Sequence, residues 1–273
     1  LIKAKALITI KNDDSGGGST IIIPTAGATS PSEYVGYNLV WADEFTGAAV
    51  NENNWSFEIG NNNGWGNNEL EYYKKENSTI HENEYLVVTA KPEQTGEFEY
   101  TSSRLISKGK KEFTFGRVDI RAVMPIGQGI WPALWTLGAD ISTNNWPACG
   151  EIDIMEYVGY RPNVVQASVH TMSYNHSIGT EKTATKNILN AEKEFHIYAM
   201  EWTADKITGY VDGVAYFTFM NDKKNDKKTW PFNAPFYLKL NLAWGGNWGG
   251  SQGIDETKLP ATYEIDYVRV YQK

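Results

Sequence analysis

Short runs of alternating apolar and polar residues recur from Tyr37 to the end of this 273-residue chain, rich in aromatic and β-branched side chains and separated by glycine-containing turns. A two-residue period sends alternate side chains to opposite faces of a pleated strand, so such runs cannot bury themselves as helices. Glu84–Ala90, Gly116–Val123, Val164–His170, His196–Trp202, Ile207–Val211, Val214–Phe219, Phe236–Leu242 and Tyr263–Tyr271 all read as strands. Val211-Asp212-Gly213-Val214 predicts a hairpin, because Asp-Gly accepts the positive φ angles of a type I′ turn. Residues 181–194 read as one short helix, although Thr183-Ala184-Thr185 is poor helix sequence. Strands without alternating helices predict an all-β fold of antiparallel sheets packed as a sandwich or jelly roll.

Ten Trp, sixteen Tyr and 25 Gly fit that class, since aromatics favour pleated surfaces and glycines favour turns. The net charge of −8 argues against a nucleic-acid partner, which needs a basic face. No apolar run approaches the ~20 residues of a membrane-spanning helix. Cys149 is the single cysteine, which excludes an internal disulfide and a multi-thiol metal site. The chain opens on Leu1 and is read as a processed or trimmed product. Residues 13–20 read as flexible linker, and 21–36, with Pro24, Gly27, Pro31 and Gly36, as tether. Residues 1–36 are therefore expected to be a stalk or the end of an upstream module, and 37–273 one catalytic domain. An extra edge strand of the main domain is the alternative for the first segment.

One segment departs from the logic of a sheet surface. Glu151-Ile152-Asp153-Ile154-Met155-Glu156 is a strand-forming sequence holding three acids in six positions. On a regular strand Glu151 and Asp153 share a face and Glu156 points away. A one-residue bulge at Ile154 or Met155 would bring Glu156 back into the row. Three crowded carboxyls cannot all ionise cheaply, so at least one pKa must rise. A raised carboxyl acts as general acid and an ionised one as nucleophile, the division that glycoside cleavage requires. On spacing alone a solvated sheet face is the commoner outcome for such a strand, and a Ca²⁺ site built from three carboxylates is a further alternative.

The aromatic surroundings favour a sugar. Trp131 and Trp135 share strand parity, Trp146 lies five residues before Glu151, and Trp244 and Trp248 flank a Gly-Gly-Asn loop. Pyranose C–H faces lie well on indole, and a neutral polysaccharide suits the acidic charge. Trp41, Trp55 and Trp202 are assigned to core packing. His170, at the end of the strand after the acidic one, is divided between a core and a cleft role.

These residues resemble glycoside hydrolase family 16, within it the bacterial laminarinase and endo-β-1,3(4)-glucanase branch. The likeness runs from about Val40 to Tyr271 through Trp41-Ala42-Asp43-Glu44-Phe45, Trp65-Gly66-Asn67-Asn68-Glu69-Leu70-Glu71, Thr101-Ser102-Ser103-Arg104-Leu105, Gly129–Gly138, Gly150–Glu156 and Asn241–Gly250. The resemblance implies a two-sheet antiparallel β-jelly-roll sandwich with a concave sugar-binding cleft, and hydrolysis with retention. It makes Glu151 the nucleophile, Glu156 the acid/base and Asp153 the residue that tunes the nucleophile's proton. It places Arg104, Trp131, Trp135, Trp146, His170 and Asn247 along the cleft, with Asn68 and Trp244. The extra Met155 matches the bulged, laminarinase-like form of the motif. No cofactor is implied for catalysis; a structural Ca²⁺ is, held by the Asp266 side chain and carbonyls near Glu44 and Asn83.

The function expected is that of an endo-acting β-glucanase on β-1,3- or mixed β-1,3-1,4-linked polymer. The alternatives are a lectin-like glucan-binding module on the same sandwich, and a relative acting on another neutral or sulfated polysaccharide. A polymeric substrate and the linker-like tail suggest a secreted or cell-surface protein, with no membrane-spanning segment. A monomer is the default expectation.

Overall fold

A computed structural model describes residues 21–273 as two β-sheets packed face to face. The linker-like residues 13–20 lie outside the described part. One sheet has eight strands. Its main path runs Lys182–Asn187, Val164–His170, Glu151–Tyr157, Ile130–Gly138, Phe236–Trp244, Arg104–Ile106 and Ser56–Phe57, with Glu112–Phe113 beside Phe236–Trp244. The other has ten strands and is centred on Gly116–Val123 between His196–Trp202 and Ala261–Gln272. Neighbours are antiparallel except Glu71–Tyr73, which lies parallel to Phe98–Ser102. Helical structure among the described residues amounts to four three-residue 3₁₀ turns, so no helix there is long and apolar enough to cross a membrane.

Alternation does what the sequence demands. Ile152, Ile154, Met155 and Tyr157 of the acidic strand face inward, as do Leu238, Leu240 and Leu242. They meet Val118, Ile120, Val268 and Val270 of the facing sheet in one core. Each such side chain contributes about 1.5–3 kcal/mol when fully buried, so this layer rather than surface ion pairs holds the sheets together. Trp55 and Trp202 are buried and Trp41 packs on the same core, as their sequence context suggests. Asp212 and Gly213 both have positive φ, 51° and 76°, and close the expected hairpin.

Two local readings of the sequence are corrected. Within 181–194, Lys182–Asn187 is an edge strand rather than a helix, paired along its length with Val164–Val169. Threonines at alternate positions suit a strand, and the neighbouring edge offers hydrogen bonds that an isolated helical turn lacks. The segment read as tether is hydrogen-bonded to the ten-stranded sheet over 26–34. Ala26 and Ala28 bracket Phe195 by backbone bonds, and the Ser30 and Tyr34 hydroxyls both donate to Asp119 at 2.6 Å. Gly27 is required at this contact, since a Cβ would stand 2.1 Å from the Phe195 carbonyl oxygen.

Candidate active site

The outward face of the eight-stranded sheet carries a groove of about 1020 Å³. Its lining comes from six successive strands, from Thr183 at one edge through His170, Asp153, Trp135 and Asn241 to Arg104. With strands ~4.8 Å apart, six strands span roughly 24 Å, the length of several sugar units rather than one.

Glu151, Asp153 and Glu156 all point into this groove. The ladder shows how. Leu134 pairs with Met155 and Trp135 with Asp153, which leaves Ile154 without a partner on that side. On the other side the register slips between Asp153 and Glu156. Ile154 and Met155 are consecutive and both buried, so the strand turns inward twice and returns Glu156 to the acidic face. Gly150 allows the strand to start there: its φ is 82°, and a Cβ would meet the Pro231 ring at 2.7 Å.

His170 stands opposite Glu151 in the ladder, its Nε2 3.2 Å from Asp153 Oδ2 and 3.7 Å from Glu151 Oε1. Trp131 Nε1 donates to Glu156 Oε1 at 3.1 Å. Burial pushes each of the three carboxyls up to about 8. Asp153 adds to the rise on both glutamates, and His170 opposes it on both. Groups this tightly placed release their protons in shared steps, so the row retains at least one proton near neutrality. One acid to donate and one to attack is within its means. Glu151, Asp153 and His170 also bring ligand atoms within 4.8 Å of one another, the donor set of a metal site as well as of a proton relay.

The walls are aromatic. Trp131 meets Trp248 edge-on at 5.5 Å, and Trp146 packs against His170 and His176. Trp135 is fixed by a bond from its Nε1 to Asn241 Oδ1 at 2.7 Å. Arg104 is buried between Trp65 and Tyr73, donating to Glu69 at 2.9 Å and to the Tyr73 hydroxyl at 3.1 Å. Asn68, exposed, donates to Asn247 Oδ1 at 2.8 Å, and Asn247 lines the groove.

Trp244 does not belong to this site. It is fully buried, packs on Tyr100 and lies on the core side of its strand. Parity decides this: Lys239, Asn241 and Ala243 face the groove, so Trp244 faces away. Trp248, read with the aromatic platform, does line the groove, and Glu58, Trp65, Glu69, His176, Lys239 and Asn241 line it without having been assigned to it. Lys239 and Asn241 carried a legible signal, as polar residues at alternate positions of an otherwise apolar strand.

The cation site that the resemblance implies fits poorly. Asp266 accepts from Arg121 at 2.6 Å, and Glu44 is held at both oxygens by Arg269 at 2.7 and 2.8 Å. The Arg121 guanidinium thus already neutralises Asp266, the one side chain that the resemblance gives as a ligand; at Glu44 the expected donor is a carbonyl, which the Arg269 pair leaves untouched. Asn83, with φ 57°, offers backbone geometry alone.

The chain has relatives that share its fold. A β-glucanase of Rhodothermus marinus is 43% identical over 247 residues, covering 86% of this chain and 85% of the relative. The X-ray structure of the laminarinase from Rhodothermus marinus superposes with a TM-score of 0.83 at 42% identity, covering 86% of this chain and 97% of that one. A laminarinase from Flavobacterium sp. UMI-01 gives 0.81 at 44%, covering 86% and 100%. The family model described as glycosyl hydrolases family 16 matches residues 60–269, and to that family the chain belongs.

Proposed function

We propose that this chain is a retaining endo-β-glucanase acting within β-1,3- or mixed β-1,3-1,4-linked glucans. The observation that carries the reading is the bulged strand, which gathers three carboxyls on the floor of a groove spanning six strands. Glu151 attacks the anomeric carbon while Glu156 protonates the departing glycosidic oxygen. The covalent glycosyl-enzyme is then opened by a water that Glu156 deprotonates, so two inversions give net retention. Asp153, between the two glutamates and beside His170, takes and returns the proton that Glu151 must shed before attacking. Trp131 directs an N–H at Glu156 and thereby fixes its carboxyl over the bond to be cut. The indoles of Trp131, Trp135 and Trp146 are the stacking surfaces, and Arg104 and Asn247 the hydrogen-bonding walls.

A groove crossing six of the sheet's eight strands suits internal cleavage of a polymer better than removal of a terminal unit. The named activities of the Rhodothermus marinus relatives support the same substrate class. A substrate too large to enter a cell favours a secreted or surface-displayed enzyme, and we read it as a monomer. Incubation with laminarin, lichenan and barley glucan tests the proposal. The expected result is a mixture of short oligosaccharides early in the reaction, released as the β-anomer by proton NMR. Release of no reducing sugar from any glucan would leave a binding module, and α-anomeric product would exclude double displacement.

A further inference from the structure

Lys239 is a buried cation of the groove face that the catalytic scheme leaves unused. It lies on the groove face of Phe236–Trp244, its side chain only 5% exposed. Its ammonium sits 4.4 Å from the Trp135 ring centroid and 6.0 Å from that of Tyr237, and donates to Glu58 Oε2 at 2.9 Å. Glu58 Oε2 also lies 3.4 Å from Arg104 Nη1, so one carboxylate serves two cations. The second Arg104 nitrogen is committed to Glu69 and Tyr73. The ladder sets these groups beside the acids: Lys239 is level with Trp135, which is level with Asp153, and Tyr237 with Leu137, which is level with Glu151.

The two glutamates therefore have unequal surroundings. Glu151 has Lys239 on one flank and His170 on the other, with Asp153, Glu156, Cys149 and Tyr237 as its remaining titratable neighbours. Glu156 has His170, Asp153, Glu151, Tyr216 and the neutral N–H of Trp131, and no lysine or arginine among them. A positive charge on one flank stabilises negative charge on the nearer carboxyl. The same ammonium covers a face of Trp135, whose edge is already tied to Asn241, so the indole cannot swing.

We propose that Lys239 is a positioning residue of the reaction, clamping the Trp135 platform against Glu58 and favouring negative charge on Glu151 over Glu156. The inference rests on the glucanase reading. It assigns the nucleophile's charge to a lysine two strands away from it. Lys239 itself is lowered to about 8 by burial, with Arg104 acting in the same direction and Glu58 and Glu151 opposing, so it is charged through the neutral range in which the acids work.

The test compares Lys239→Met and Lys239→Arg with the wild type on laminarin, measuring kcat and KM separately and kcat/KM against pH. Methionine fills similar volume and leaves Glu58 paired with Arg104, and thermal melting confirms folding. Lys239→Met is expected to raise KM roughly three- to tenfold, as for loss of a fixed contact. It is also expected to move the acidic limb of the profile up by about half a pH unit. Lys239→Arg is expected to bring the limb back. A methionine variant whose limb coincides with the wild type overturns the proposal. So does an arginine variant shifted as far as the methionine one, which would make the effect one of shape. Were Lys239→Met not to fold, Lys239→Gln would be read in the same way. Inactivity of the wild type on every glucan would instead defeat the parent reading.

Discussion

The two outward faces of the sandwich both hold acids at least partly withdrawn from solvent, but treat them in opposite ways. On the ten-stranded sheet Asp119 lies 2.8 Å from Arg117, Asp266 2.6 Å from Arg121 and Glu44 2.7 Å from Arg269. The chain itself, through Ser30 and Tyr34, caps Asp119. On the groove face Glu151, Asp153 and Glu156 share one imidazole, one indole N–H and a more distant ammonium. Acids matched one to one with arginine and covered by chain are structural. Acids crowded, raised and left facing a groove are the ones with protons to move.

That contrast can be broken by mutation, and the largest effect belongs to the groove. Glu151→Ala is expected to abolish nearly all turnover with the fold intact, and Glu156→Gln to lower kcat by about 10²–10⁴-fold. Reducing-sugar assays beside thermal melts measure both, and a near wild-type rate for either variant would remove its assigned role. The covered face should answer in stability instead. Asp119→Ala leaves Arg117 buried without its partner and is expected to cost about 3–5 kcal/mol in denaturant unfolding, with kcat unchanged. Loss of activity without loss of stability there would erase the distinction.

A subtler difference appears with pH. The Glu151 carboxyl rises from 4.5 to about 8 on folding, so the protonated form is favoured in the folded state. Its contribution to stability is complete below the unfolded value and is lost as pH climbs from about 4.5 to about 8. Glu151→Gln, which cannot ionise, should therefore stabilise the protein by about 1 kcal/mol or more at pH 8 and by nothing at pH 4. An equal effect at both pH values would mean that the Glu151 carboxyl is not raised by its burial in the groove. The smallest effect concerns calcium: with Asp266 already matched by Arg121, adding Ca²⁺ or a chelator should leave the melting temperature within about 1 °C. A larger calcium-dependent rise would mean that Arg121 yields to a cation.

The strands, the Asp212-Gly213 turn and the acidic row were legible because each depends on near neighbours in sequence. The bulge was legible too, since no straight strand places both Asp153 and Glu156 on one side while burying Ile152 and Val158. Trp244 was misplaced because it was read as part of a glycine-rich loop, whereas the parity of Lys239, Asn241 and Ala243 continues through it. The docking of residues 26–34 was hidden for another reason. Its partners Asp119, Phe195 and Tyr267 lie some 90 to 240 positions away, and nothing in Pro- and Gly-rich sequence announces a contact at that range. Lys239 was a visible anomaly whose meaning depended on knowing that Trp135 and Glu58 would surround it.

The unpaired residue in the acidic strand also fixes how this stretch of gene can change length. Remove one amino acid at Ile154 or Met155 and the motif reads Glu-x-Asp-x-Glu, in which plain alternation alone keeps three carboxyls on one side. Remove one at Ile152, or insert one beside it, and the first glutamate is thrown to the opposite side from the other two. A single codon can thus be lost from the middle of the motif, and nowhere else within it, while the carboxyls stay together.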